Sequence, residues 1–136
     1  MDVIHFTHGA TDLMLFPGTR GAHFVPLADG EGDAHMGCVH LEPGATVESP
    51  SLTHATALLV VHGRIEVSAD ATGKIAWLSG GMGCVLKRDQ AYSLQTETGA
   101  IVLVVEAHTL EAHIRGISTP ERINGQTWPS DVLIPK

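Results

Sequence analysis

A chain of 136 residues, 43% hydrophobic and 17% charged, has the balance of one folded domain with a modest core, which excludes a disordered polymer. Its formal net charge of −7 opposes nucleic acid and anionic membranes as partners, because phosphate recognition needs a basic face. The apolar runs Ala57–Val61 and Ala100–Val105 are far too short to span a bilayer, and no charged leader precedes an apolar run, so a cytoplasmic protein without a signal peptide is expected.

Fifteen glycines and seven prolines in so short a chain indicate many turns, as in an all-β protein. Asp2–Phe6 and Thr11–Phe16 read as short strands, the second closed by Pro17-Gly18. Gly21–Leu27 is strand-like, but Pro26 cannot donate to a ladder and marks an edge or a bulge. Asp29–Asp33 is an acidic, glycine-rich turn. His35–Leu41 alternates, with Met36, Cys38 and His40 on one face and Gly37, Val39 and Leu41 on the other. After a Pro43-Gly44 turn and a polar loop, His54–Val61 and Arg64–Ser68 read as a strand pair broken at His62-Gly63. Asp70–Gly73 is a turn and Lys74–Leu78 a short strand; Gly80-Gly81 is a tight turn of the kind that needs positive φ. Cys84–Lys87, Ala91–Gln95 and Ala100–Glu106 complete the series, the last two joined as a hairpin by Glu97-Thr98-Gly99. Strands at intervals of roughly ten residues, separated by Gly/Pro turns, indicate a sandwich or barrel. The two cysteines lie in apolar strands, so free thiols are expected, with a single bridge left open.

The stretch from Gly44 to Gly63 resembles the first motif of the cupin superfamily, G-x5-H-x-H-x3-E-x6-G, without insertion. Pro50, Leu52 and Thr56 stand in its ligand positions. Gly81 to Tyr92 resembles the second motif, G-x5-P-x-G-x2-H, with Lys87 for the proline, Asp89 for the glycine and Tyr92 for the histidine ligand. The resemblance covers about Pro43 to Glu106. It implies a double-stranded β-helix, or jelly roll, over residues 1–108, with residues 109–136 as a C-terminal arm.

In that frame the ligand positions look into the barrel, and alternation carries His54, Leu58 and Val60 with them. Tyr92, the chain's single tyrosine, would face them across the cavity. His54 as base and Tyr92 as acid or donor are the candidate catalytic pair, with Thr56, His40, Leu52 and Leu58 as candidate substrate contacts. The alternative is that His54 satisfies a buried carbonyl while Tyr92 fills volume. No metal is expected in the consensus positions, since Pro50 and Leu52 cannot coordinate and Thr56 is a poor substitute for glutamate; a site relocated to His40 and His54 stays open. Nothing suggests another cofactor: Gly80–Gly83 lacks the lysine of a phosphate loop, and Asp29–Asp33 misses the spacing of a calcium loop.

Three readings follow from the resemblance. One is a metal-independent isomerase, epimerase, dehydratase or cyclase working by proton transfer on a small molecule. Another is a non-catalytic ligand-binding or sensory cupin, and the third a metal-dependent oxygenase or lyase with relocated ligands. In the arm, Ser118-Thr-Pro-Glu121 is a good helix start, and Ile123, Trp128 and Leu133 either cover one end of the barrel or cross to a partner subunit. Cupins commonly dimerise through terminal segments, so a homodimer is expected. Deleting Gly116–Lys136 should shift the protein to monomer or aggregate in size-exclusion chromatography; an unchanged dimer would remove the arm from the interface.

Overall fold

The computed structural model describes residues 1–5, 11–12, 18–49, 53–69 and 75–113. Their regular structure is entirely β: β1 Thr11–Asp12, β2 Arg20–Asp29, β3 His35–Ser49, β4 Ala55–Ala69, β5 Ile75–Ser79, β6 Gly83–Leu86, β7 Tyr92–Gln95 and β8 Ala100–Ala107. Every ladder is antiparallel. Strands β3 and β4 are each 15 residues long and serve two sheets. Their first halves bracket β8, with β2 beyond β3 and β6 beyond β4. Their second halves bracket β7, with β5 beyond β4. The result is the expected jelly roll.

The shared strands correct three expectations. Pro43-Gly44 does not end β3: Gly44 bends the backbone at φ +82°, and its N–H donates to the Thr96 carbonyl at 3.0 Å. His62-Gly63 does not split two strands; β4 continues through a register shift between Val60 and His62. Nor are β7 and β8 a hairpin. Glu97-Thr98-Gly99 carries the chain from one sheet to the other, where β8 pairs with β3 and β4 rather than with β7. Local turn signals could not reveal this, because a bend within a strand and a hairpin use the same residues.

Gly63 shows why the bend needs glycine. It sits at φ +87°, and an added Cβ would lie 2.3 Å from the Gly99 carbonyl oxygen and 2.7 Å from the Ala100 Cα. Backbone cannot yield there as a flexible side chain would.

Alternation along the strands builds the interior. Val39 and Leu41 of β3, Leu58 and Val60 of β4, Leu86 of β6 and Val102 of β8 meet Ile65, Val67, Leu78 and Leu94 from the second sheet in one buried cluster. Pro26 lies at a register shift in β2, the bulge its missing N–H predicts. Several expected elements fall partly or wholly outside the described residues: Thr11–Phe16 is strand at Thr11–Asp12, while Asp70–Gly73 and the arm beyond residue 113, with its Ser118–Glu121 helix start and Ile123, Trp128 and Leu133, lie outside. Residues 2–5 carry no strand. Among the described residues no helix is long and apolar enough to cross a membrane.

Leu58 is 1% exposed and central to this cluster. Leu58→Ala should lower unfolding free energy by about 2–5 kcal/mol, read from urea denaturation. A loss below about 1 kcal/mol would mean that the interior collapses onto the gap.

Candidate functional site

One end of the barrel brings two histidines and several carboxylates together. The turn between β2 and β3 brings Asp29 and Asp33 to the rim. Asp33 Oδ2 lies 3.6 Å from Nε2 of His54, just before β4. Asp29 Oδ1 lies 2.9 Å from Nδ1 of His35, the first residue of β3. The two imidazoles stand edge to face with centroids 6.3 Å apart. Thus two histidine–carboxylate pairs face each other across the rim. The His54 side chain is one-quarter exposed and that of His35 about half. The remaining nitrogen of His54, Nδ1, is 2.9 Å from the Thr53 hydroxyl.

Glu106 of β8 sits opposite His35 on one side and opposite Thr56 on the other. It shares the inward face of Val102 and Val104, so it places a carboxylate at the top of an apolar strand. Tyr92 packs against the core, hydrogen-bonds Ser49, and feels Glu106 and Cys84 nearby. Burial pushes its phenol up to about 12, the hydrogen bond pulling the other way and the Glu106 charge adding to the rise. At neutral pH it is a phenol that can donate. Thr56 is 1% exposed, and its hydroxyl donates to the His54 carbonyl at 3.4 Å.

The structure therefore places Thr56 and Leu58 on the inner face, Tyr92 against the core, and His54 at the rim. Leu52 lies outside the described residues. His40 does not join them. Val39 and Leu41 point inward, so His40 projects to the outer face, opposite His23 of β2 and 3.7 Å from the Cys38 sulfur. A metal site combining His40 with His54 would have to pass through the sheet. The four residues missed by sequence reasoning are Asp29, Asp33, His35 and Glu106. Asp29 and Asp33 read as a solvated turn; Asp29 meets His35 across the hairpin, and only the pairing of β3 and β4 with β8 brings Asp33 to His54.

The donors do not suit the metal that a cupin barrel commonly holds. Thr56 has given its hydroxyl to a backbone carbonyl, Tyr92 is held strongly as the neutral phenol, and no group of three or more His, Cys, Asp or Glu converges among the described residues.

The chain has the cupin fold. No protein-family model matches its sequence, and no curated protein is significantly similar. Among solved structures it is similar to an RmlC-like cupin from Shewanella frigidimarina, with 20% identity and a TM-score of 0.63 over 80% of this chain and 95% of that one. The polyketide cyclase RemF from Streptomyces resistomycificus gives 17% identity and a TM-score of 0.68, covering 78% of each chain. KdgF from Halomonas sp. gives 22% and 0.63, over 79% of this chain and 93% of that one.

The Asp29 hydrogen bond, with the charges of Asp29, Glu106 and Asp33, raises His35 above its ordinary 6.5. A raised basic group stabilises the fold fully below pH 6.5, and that contribution is lost as pH rises through the raised midpoint. The His35 ring resonance should titrate above 6.5 by NMR, and Asp29→Asn should return it toward 6.5. A midpoint unmoved by Asp29→Asn would break the pairing.

Proposed function

We propose that this cupin binds a small carbonyl-bearing molecule at the His54 rim and moves a proton on it without a metal, as an isomerase, epimerase, dehydratase or cyclase would. The observation that carries the reading is the facing pair of histidine–carboxylate contacts, His54 with Asp33 and His35 with Asp29. Asp33 Oδ2 beside Nε2 orients the His54 ring, and Nδ1 accepts the proton from carbon once substrate takes the place of the Thr53 hydroxyl. His35, held protonated to higher pH by Asp29, returns a proton from the opposite side. The Tyr92 phenol donates a hydrogen bond to the substrate oxygen as negative charge develops there. The similarity to a polyketide cyclase is compatible with such work but shares only the fold.

A second reading, binding without turnover, draws on Tyr92 itself. A phenol raised to about 12 gives up its proton reluctantly, which suits a fixed donor in a ligand pocket as well as an acid. A homodimer remains part of the proposal, supported by the exposed Leu59 and Val61 in the middle of β4 and Met82 in the turn from β5 to β6 beside them.

Both readings are separated by incubating the protein with a panel of ketones, aldehydes and keto acids in deuterium oxide. Loss of the α-proton signal, unaffected by chelator and about 100-fold or more slower in His54→Gln, is the result expected of a general base. Saturable binding without exchange would leave a ligand-binding module. Exchange that chelator abolishes would overturn the metal-free mechanism.

A further inference from the structure

At the far end of the barrel, on the outer face of the second sheet, a groove of about 260 Å³ is lined by Arg64, Glu66, Trp77, Gln95, Glu97 and Thr98 with backbone beneath them. The sequence frame does not single it out and the proton-transfer site does not use it. Its side chains form an ordered row. Ile65 and Val67 of β4, Leu78 of β5 and Leu94 of β7 point inward, so Arg64, Glu66, Trp77 and Gln95 point out. Trp77, Glu66 and Gln95 lie side by side across the three strands.

Each member of the row is held. Gln95 Nε2 donates to Glu66 Oε1 at 3.1 Å. The Arg64 guanidinium lies 4.5 Å from the centre of the Trp77 ring. Thr96, 5% exposed, donates its hydroxyl to the Arg64 carbonyl at 2.7 Å and accepts from the Gly99 N–H at 3.0 Å, fixing the floor at the sheet-to-sheet crossing. Yet Trp77 remains 51% exposed, an indole ordered on a rigid strand without being buried.

We infer that this groove binds a neutral pyranose ring. The half of the indole that Arg64 and the sheet leave exposed offers apolar contact to the C–H face of a sugar. The carboxylates of Glu66 and Glu97 accept from hydroxyls, having more acceptor positions than Gln95 occupies. A guanidinium keeps its in-plane donors free when it lies on an aromatic ring. The charges also choose the class. One guanidinium against two carboxylates disfavours an anion, while Arg64 already takes the cation's place over the indole. Alternating donors and acceptors around an apolar plane suit an uncharged polyol. The volume lies just under the roughly 300 Å³ at which drug-sized pockets begin, so one ring is the natural occupant.

The test titrates the isotope-labelled full chain with methyl glucoside, methyl galactoside and methyl mannoside, following the Trp77 indole N–H resonance, assigned by its loss in Trp77→Phe. At least one glycoside should give a saturable shift. Glu66→Gln, a surface change within a folded sheet, should weaken that binding about tenfold, as expected for losing a charge-assisted hydrogen bond. His54→Gln should leave it unchanged, which separates the groove from the rim site. Absence of a saturable shift with all three glycosides would overturn the inference. So would tighter binding of methyl glucuronide or of choline, since either would show that charge, not a neutral ring, selects the ligand.

Discussion

The structure depends on one constraint: β3 and β4 must pass from one sheet to the other without interrupting their hydrogen bonding. A strand can turn a corner only where its backbone leaves the extended region, and Gly44 and Gly63 supply those points. The crossing at Gly63 is tight because Gly99 and Ala100 pack against it, so the entry of β8 into the first sheet and the bend of β4 are one contact. Once the corners are set, alternation decides the rest. Inward positions in both sheets close on one apolar cluster, and the ionisable residues are left for the two ends and the outer faces.

That sorting explains the chemistry at the rim. Charged groups are costly inside an apolar barrel unless paired. Here the carboxylates come from a turn and from the last inward position of β8, where solvent still reaches them, and each histidine meets one of them. The phenol of Tyr92 lies deeper and stays neutral for the same reason. A gradient of polarity runs down the barrel, from half-exposed imidazole through carboxylate and phenol to Leu58 and Val102.

Much of this was legible in the residues. The cupin motif frame located the barrel, the strand order of the chain and the inward parity of Thr56 and Leu58. Local signals misread the corners as breaks, because glycine-rich bends and hairpins are chemically alike until pairing partners are known. His40 was assigned to the cavity from strand adjacency, whereas the alternation of Val39 and Leu41 places it outside. Glu106 and the meeting of Asp33 with His54 needed long-range register, which no window of sequence contains, whereas Asp29 and His35 face each other across one hairpin. Asp89 is a subtler case. It occupies the glycine position of the second motif and keeps φ +66°, one of the few non-glycine residues tolerant of that region. The backbone requirement survived a change of letter.

The two thiols illustrate what a wall between inside and outside implies. Cys84 packs against the interior cluster, while Cys38 is 0% exposed on the other side of the same sheet, and both are free. No covalent staple holds the barrel, so its persistence is indifferent to the reducing power of the surroundings. Cys38 is also a natural clock. A reagent can reach its sulfur only when the packing over it opens, so the rate of its modification reports how often that packing parts.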